Sequence, residues 1–143
     1  MAGFSLLETV FAVAVLAVLA VGASLATGRG VSLDQSDADR FQRAYAQQWS
    51  LAVAGREPRG LSVSQGGLSH WRHGPAGWTE LGKLYDWQGQ ASISGPVVLP
   101  GQPQIVLMPD GRATSFTAVF SGRRGTQSTC RGEGWSEAPC GQD

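Results

Sequence analysis

The sequence Gly3-Phe4-Ser5-Leu6-Leu7-Glu8, followed by an apolar run from Thr9 to Thr27, decides how the rest of the chain is read. From Phe4 onward the run can form a helix of about 36 Å at 1.5 Å per residue, against a hydrocarbon core of about 30 Å. Glu8 carries the only charged side chain between Met1 and Gly28. A carboxylate costs on the order of 3 kcal/mol at the centre of a membrane helix. An ordinary secretory signal, cut at Val21-Gly22-Ala23 before Ser24, wants a basic n-region, and this segment is acidic. A plain membrane anchor leaves Glu8 no role beyond snorkelling to the interface. A carboxylate retained in such a helix points instead to a cationic partner.

The 143 residues are one domain's worth, with eleven basic and eleven acidic side chains. That balance sets up no field able to select nucleic acid or an acidic substrate. Every Lys and Arg lies beyond Gly28, and so do all five Trp. The chain after the apolar run can build a small core, which at this size is marginal without an added tie. Cys130 and Cys140 lie close together near the C-terminus. In an exported protein such a pair usually forms a disulfide, and closing so short a loop contributes roughly 2–3 kcal/mol if unstrained.

Ser32 or Asp34 can cap a renewed helix. Ala38, Phe41, Ala44, Tyr45, Trp49 and Ala52 recur at helical spacing, with Asp39, Arg40, Gln42, Arg43, Gln47 and Ser50 on the other face. Gly55 and then Pro58 stop the pattern. Together the two stretches read as one long N-terminal helix, or two nearly collinear ones, with a membrane half and an amphipathic half. Gly22, Gly28 and Gly30 are its soft points. Leu61-Ser62-Val63-Ser64-Gln65 alternates, Gly66-Gly67 turns, and Leu68 to Arg72 returns as a hairpin. Gly74-Pro75-Ala76-Gly77 breaks the chain before Trp78-Thr79-Glu80-Leu81, and Gln88 to Gln104 reads as loop. A second hairpin runs from Ile105 to Met108, through Pro109-Asp110-Gly111, to Ser115 through Phe120. The expected class is α+β, an antiparallel sheet laid on the amphipathic half of the helix.

The opening stretch resembles the N-terminus of type IV pilins and type II secretion pseudopilins. The resemblance implies a leader, Met1-Ala2-Gly3, cut after Gly3 by prepilin peptidase, and a cationic amine on Phe4 that is then N-methylated. It also implies that Glu8, fifth in the mature chain, pairs with the N-terminus of a neighbouring subunit during assembly. The leader lacks Lys and Arg, and the charge bias favours Arg29's side as cytoplasmic, opposite to the pilin topology. A start further upstream would account for both.

Later blocks sharpen the resemblance. Ala38-Asp39-Arg40-Phe41, the stop at Gly55-Arg56, Gly60-Leu61-Ser62-Val63, Gly77-Trp78, and Ile105-Val106-Leu107-Met108-Pro109-Asp110-Gly111 running into Thr114-Ser115-Phe116 resemble the H-type minor pseudopilin, general secretion pathway protein H. The implied fold is pilin-like: residues 1–3 as leader, 4–28 as a transmembrane assembly helix, and 29–143 as a periplasmic globular domain. The implied function is a structural subunit of the secretion pseudopilus, in its tip complex, supporting export of folded proteins across the outer membrane. The implied partners are the major pseudopilin, the other minor pseudopilins, prepilin peptidase and the inner-membrane assembly platform. The implied location is the bacterial inner membrane, single-pass, with the C-terminal domain in the periplasm.

Cys130 and Cys140 around Gly132-Glu133-Gly134-Trp135 are similar to the C-terminal disulfide loop of type IV pilins. The same sequence domain occurs in FimT-like minor pilins, some of which bind DNA, and this is the alternative reading. A DNA-binding tail needs cations to neutralise phosphates. Here Arg123, Arg124 and Arg131 are matched by Glu133, Glu137 and Asp143, which leaves only a local patch beside Trp135. Catalytic patterns are missing. His70 and His73 sit three apart on a strand and face opposite sides, poor spacing for a metal. No nucleophile elbow surrounds a Ser, Asp86 and Asp110 are too isolated for a calcium loop, and the glycines sit at turns. The expectation is a non-enzyme with no metal and no cofactor.

Overall fold

A first helix, α1, runs from Leu6 to Thr27, and a second, α2, from Asp37 to Gly55. The computed structural model describes residues 6–27, 36–95, 97–135 and 137–142, the side chains of 18–27 excepted. The long N-terminal helix, expected as one piece or as two nearly collinear ones, is corrected to two helices that belong to separate units, Met1–Asp34 and Gln35–Asp143. The membrane half is corrected as well: among the described residues no helix is long and apolar enough to cross a membrane. The first half of α2 is charged, with Asp37, Asp39, Arg40 and Arg43. The single-pass inner-membrane location expected from the apolar run falls with the transmembrane helix. Residues 1–3, Phe4, Gly28, Arg29, Gly30, Ser32 and Asp34 lie outside the described residues.

Helix α2 starts at Ser36, whose backbone is extended and whose hydroxyl accepts the Asp39 amide at 3.2 Å. That satisfies one of the amides a helix start leaves free. The same hydroxyl donates to the Asp39 carboxylate at 2.8 Å. Ala38, Phe41, Ala44, Tyr45 and Ala52 form the buried stripe, which is the face expected from their spacing. At the other end Gly55 is the last helical residue, and Arg56 takes the left-handed conformation at φ 51°, ψ 32°. A side chain there costs roughly 1–2 kcal/mol. Arg56→Gly is therefore expected to stabilise by about 0.5–1 kcal/mol after the extra freedom of the unfolded glycine is deducted. The urea midpoint should rise; an unchanged or lower midpoint contradicts the account of this cap.

Strands β1 (Arg59–Ser64) and β2 (Gly67–Gly74) make the expected hairpin. Where a break was expected, Gly74 and Gly77 close a tight turn and β3 (Gly77–Tyr85) pairs along β2; Gly77 supplies a φ of 99°. The stretch read as loop contains β4 (Gln90–Ser94). Then follow β5 (Ile105–Leu107), β6 (Phe116–Ser121), β7 (Gln127–Gly132) and β8 (Cys140–Gln142). They make two four-stranded antiparallel sheets, β3-β2-β1-β5 and β4-β6-β7-β8, and not the one sheet expected.

The second hairpin is also corrected. The turn forms, with the Met108 amide donating to the Arg112 carbonyl at 2.8 Å. Pairing then stops after the Leu107–Ala113 bridge. Thr114 spends its amide and its hydroxyl on Val106, at 2.9 and 3.0 Å, and the chain crosses to the other sheet. The crossing delivers Phe116, Ala118 and Phe120 to the core beside α2. Phe41 is its hub, with ring centroids 5.6 Å from Phe116 and 5.3 Å from Phe120.

Candidate functional site

Glu8 lies in the first turn of α1, where a negative charge complements the positive end of the helix. Next to it the Thr9 hydroxyl donates to the Leu6 carbonyl at 2.8 Å. Glu8 is exposed, and so are the apolar side chains around it: Leu6 is 83% and Phe11 72% exposed, with Leu7, Val10, Val13 and Leu16 also open. At about 100° per residue these six cover an arc of about 220°, and Glu8 lies on the remaining side. Exposed apolar surface of this breadth marks α1 as a candidate contact site. Gly3 and Phe4, the expected cleavage and methylation positions, lie outside the described residues.

In the globular unit a clamp ties the start of α2 to the chain between β3 and β4. Asp37 is only 7% exposed. Its carboxylate accepts the Gln88 amide at 2.9 and 3.1 Å and the Gly89 amide at 2.9 Å. Arg40 approaches Asp37 at 3.6 Å, donates to the Asp86 carbonyl at 3.1 Å and lies 4.1 Å over the Tyr85 ring. Nothing in the sequence marked this clamp, because its partners are some fifty residues away. Asp37→Ala leaves two amides without an acceptor and is expected to cost about 2–3 kcal/mol, read in urea unfolding. A loss below about 0.5 kcal/mol would contradict the clamp.

The tail closes over the same helix. Cys130 and Cys140 are disulfide-bonded with Cα atoms 4.0 Å apart, joining β7 to β8. The Tyr45 hydroxyl donates to the Trp135 carbonyl at 2.9 Å, and Ala138 is buried. Burial pushes the Tyr45 phenol up to about 12, so it remains a donor across the physiological range. Ala113 donates its amide to Gly134 at 2.8 Å, linking the tail to the cover of β5.

The arginines of the DNA alternative do not come together. Arg123 and Arg124 sit in the turn between β6 and β7, and Arg123 donates to the Gln88 carbonyl at 3.2 Å. Arg131 lies near the far end of β7. Gln127 to Arg131 alone is about 13 Å of extended strand, so the patch beside Trp135 is not contiguous.

His73 packs edge-on against Trp78 at 5.0 Å. Burial, with the charge of Arg59 second, holds the His70 imidazole below its usual 6.5. The folded state thus resists protonating His70 more than the unfolded state does. Stability is full above pH 6.5 and falls as pH drops through that value toward the lower folded one. His70→Asn should flatten that part of the stability curve; an identical slope in both proteins would contradict the assignment. Among the described residues no group of three or more His, Cys, Asp or Glu could hold a metal.

No protein-family model and no curated protein sequence matches the chain. Solved structures do. The solution structure of E. coli GspH matches with a TM-score of 0.59 at 19% identity, over 72% of this chain and 83% of GspH. The minor pseudopilin EpsH from the type 2 secretion system of Vibrio cholerae matches with a TM-score of 0.55 at 13% identity, over 74% of this chain and 92% of EpsH. The fold is that of the minor pseudopilins GspH and EpsH. The H-type resemblance, read from the order of short blocks between Ala38 and Phe116, is borne out at the level of fold.

Proposed function

We propose that this chain is a minor pseudopilin, a structural, non-catalytic subunit of a type II secretion-like pseudopilus. The observation that carries the reading is a GspH-like fold, shared over most of the chain, following a helix whose described apolar side chains stand exposed. In an assembly the α1 helices of neighbouring subunits cover one another, and the globular unit faces other components of the secretion machinery. Those components include the major and the other minor pseudopilins. The chain is cut after Gly3 by prepilin peptidase, Phe4 is N-methylated, and Glu8 pairs with the cationic N-terminus of a neighbour. Burying Glu8 among apolar helices is tolerable only with such a partner.

Glu8→Ala tests this directly. Cleavage should remain intact, while crosslinking of α1 to neighbouring subunits falls by at least about tenfold, since truncating one partner of a buried charge pair costs roughly 2–5 kcal/mol. Crosslinking at the wild-type level would remove Glu8 from assembly.

A further inference from the structure

We propose that β4 is a self-association edge: two copies of the chain pair their β4 strands antiparallel about a twofold axis through Ser92, continuing the second sheet from one copy into the other. The inference is independent of the pseudopilin reading and rests on a comparison of the four sheet edges.

An edge strand offers unpaired N–H and C=O groups to another strand unless charge, Pro, bulges, short length or a cover protects it. Strand β3 carries Glu80 and Lys83, both exposed, and its register against β2 shifts twice. The outer side of β5 is covered by residues 112–114 through the Met108–Arg112 and Thr114–Val106 bonds. Strand β8 has three residues and is held by the disulfide. Strand β4 carries no charge, Pro or bulge, and only its approach to the end of β1 shields it. It is five residues long, Gln90-Ala91-Ser92-Ile93-Ser94, without charge or Pro. It pairs with β6 in unbroken register from Gln90–Ser121 to Ser94–Thr117. A groove of about 490 Å³ lies across the β4–β6 pair, lined by Gln65, Gln90, Ala91, Ser92, Val119 and Ser121, none of them charged.

The strand is matched to itself. Pairing about Ser92 sets Ala91 opposite Ile93 of the second copy and Gln90 opposite Ser94. Ala91 and Ile93 are half-buried against the core, whereas Gln90, Ser92 and Ser94 are exposed. An axis normal to the sheet therefore keeps apolar residues on the inner face and polar ones on the outer face of both copies. A slip of one residue would mix the faces. Opposed like charges destabilise a strand pair, and this neutral strand brings none. The same patch serves both copies, as a twofold interface requires.

The test uses the full chain with Ser92→Cys, an exposed position where the new thiol is free because Cys130 and Cys140 are bonded. Mild oxidation should give a disulfide-linked dimer at least about fivefold faster than Thr79→Cys on the β3 edge, measured on non-reducing gels. In the otherwise unaltered chain, Ser92→Lys places two like charges opposite each other and should lower the dimer fraction in sedimentation by about fivefold. Equal crosslinking from the two cysteines would overturn the proposal. So would a dimer fraction indifferent to Ser92→Lys, or crosslinking of Ser92→Cys to a different protein instead of a second copy.

Discussion

Phe41→Ala should cost about 3–5 kcal/mol of stability, the loss typical of truncating a fully buried aromatic. Phe41 has no exposed surface. Its ring meets Phe116 edge-on at 5.6 Å, Phe120 at 5.3 Å and Tyr45 at 6.3 Å. These contacts join α2 to β6, so truncation opens a cavity on the seam between the helix and the second sheet. The neighbouring positions are poorly able to collapse into it. Gly132 already lies against the Phe116 ring, where a Cβ would overlap it, and Tyr45 is held by its bond to the tail. Urea unfolding followed by Trp fluorescence measures the effect. Gln42→Ala, one position along on the exposed face, should stay within about 0.5 kcal/mol of wild type. A Phe41→Ala loss below about 1 kcal/mol would mean that α2 is not seated as described.

Removing the disulfide is the second large effect. Replacing Cys130 and Cys140 together by Ala should cost about 2–4 kcal/mol, chiefly because the unfolded chain regains the freedom of the closed loop. The bond carries more than its own loop. Strand β8 pairs with β7 through only three residues, too few to hold without a tie. The loop between those strands carries the Trp135 carbonyl that accepts from Tyr45 and the Gly134 carbonyl that accepts from Ala113. Reducing the wild-type protein should reproduce most of the loss. Equal midpoints for oxidised wild type, reduced wild type and the double variant would contradict the role given to the tail.

Much of the helical part was legible because its signals are local. The stripe from Ala38 to Ala52 has helical spacing, and every member of it but Trp49 is buried. Trp49 is half-buried and uses its indole N–H on the Gly111 carbonyl at 3.0 Å. The β1–β2 hairpin was legible for the same reason, from alternation broken by two glycines. Strand β4 was not. Its two inward residues, Ala91 and Ile93, are a weak apolar signal, and the strand depends on pairing with β6 and on Asp37 holding Gln88 and Gly89. The turn at Pro109-Asp110-Gly111 was legible, but not where the chain goes after it. Thr114 ends the pairing, and the preference of Phe116 and Phe120 for the Phe41 side is a long-range matter.

The candidate site divides in the same way. Glu8 declared itself, as one charge in an apolar run. The clamp of Asp37 and Arg40 did not, since an acid and a base three apart at a helix start look like an ordinary solvated face. The apolar run itself was over-read, with the whole of it taken as a membrane span. Among the described residues no helix meets the length and apolarity that crossing requires. What α1 shows is exposed apolar surface headed by an acid, and that is the feature an assembly would use.

The most direct test of the pseudopilin account is mass spectrometry of the mature N-terminus in the native host. The account predicts a chain that begins at Phe4, with its amine methylated and Glu8 retained. A mature chain beginning at Ser24 would remove Glu8 along with most of the apolar helix, and would contradict the account outright.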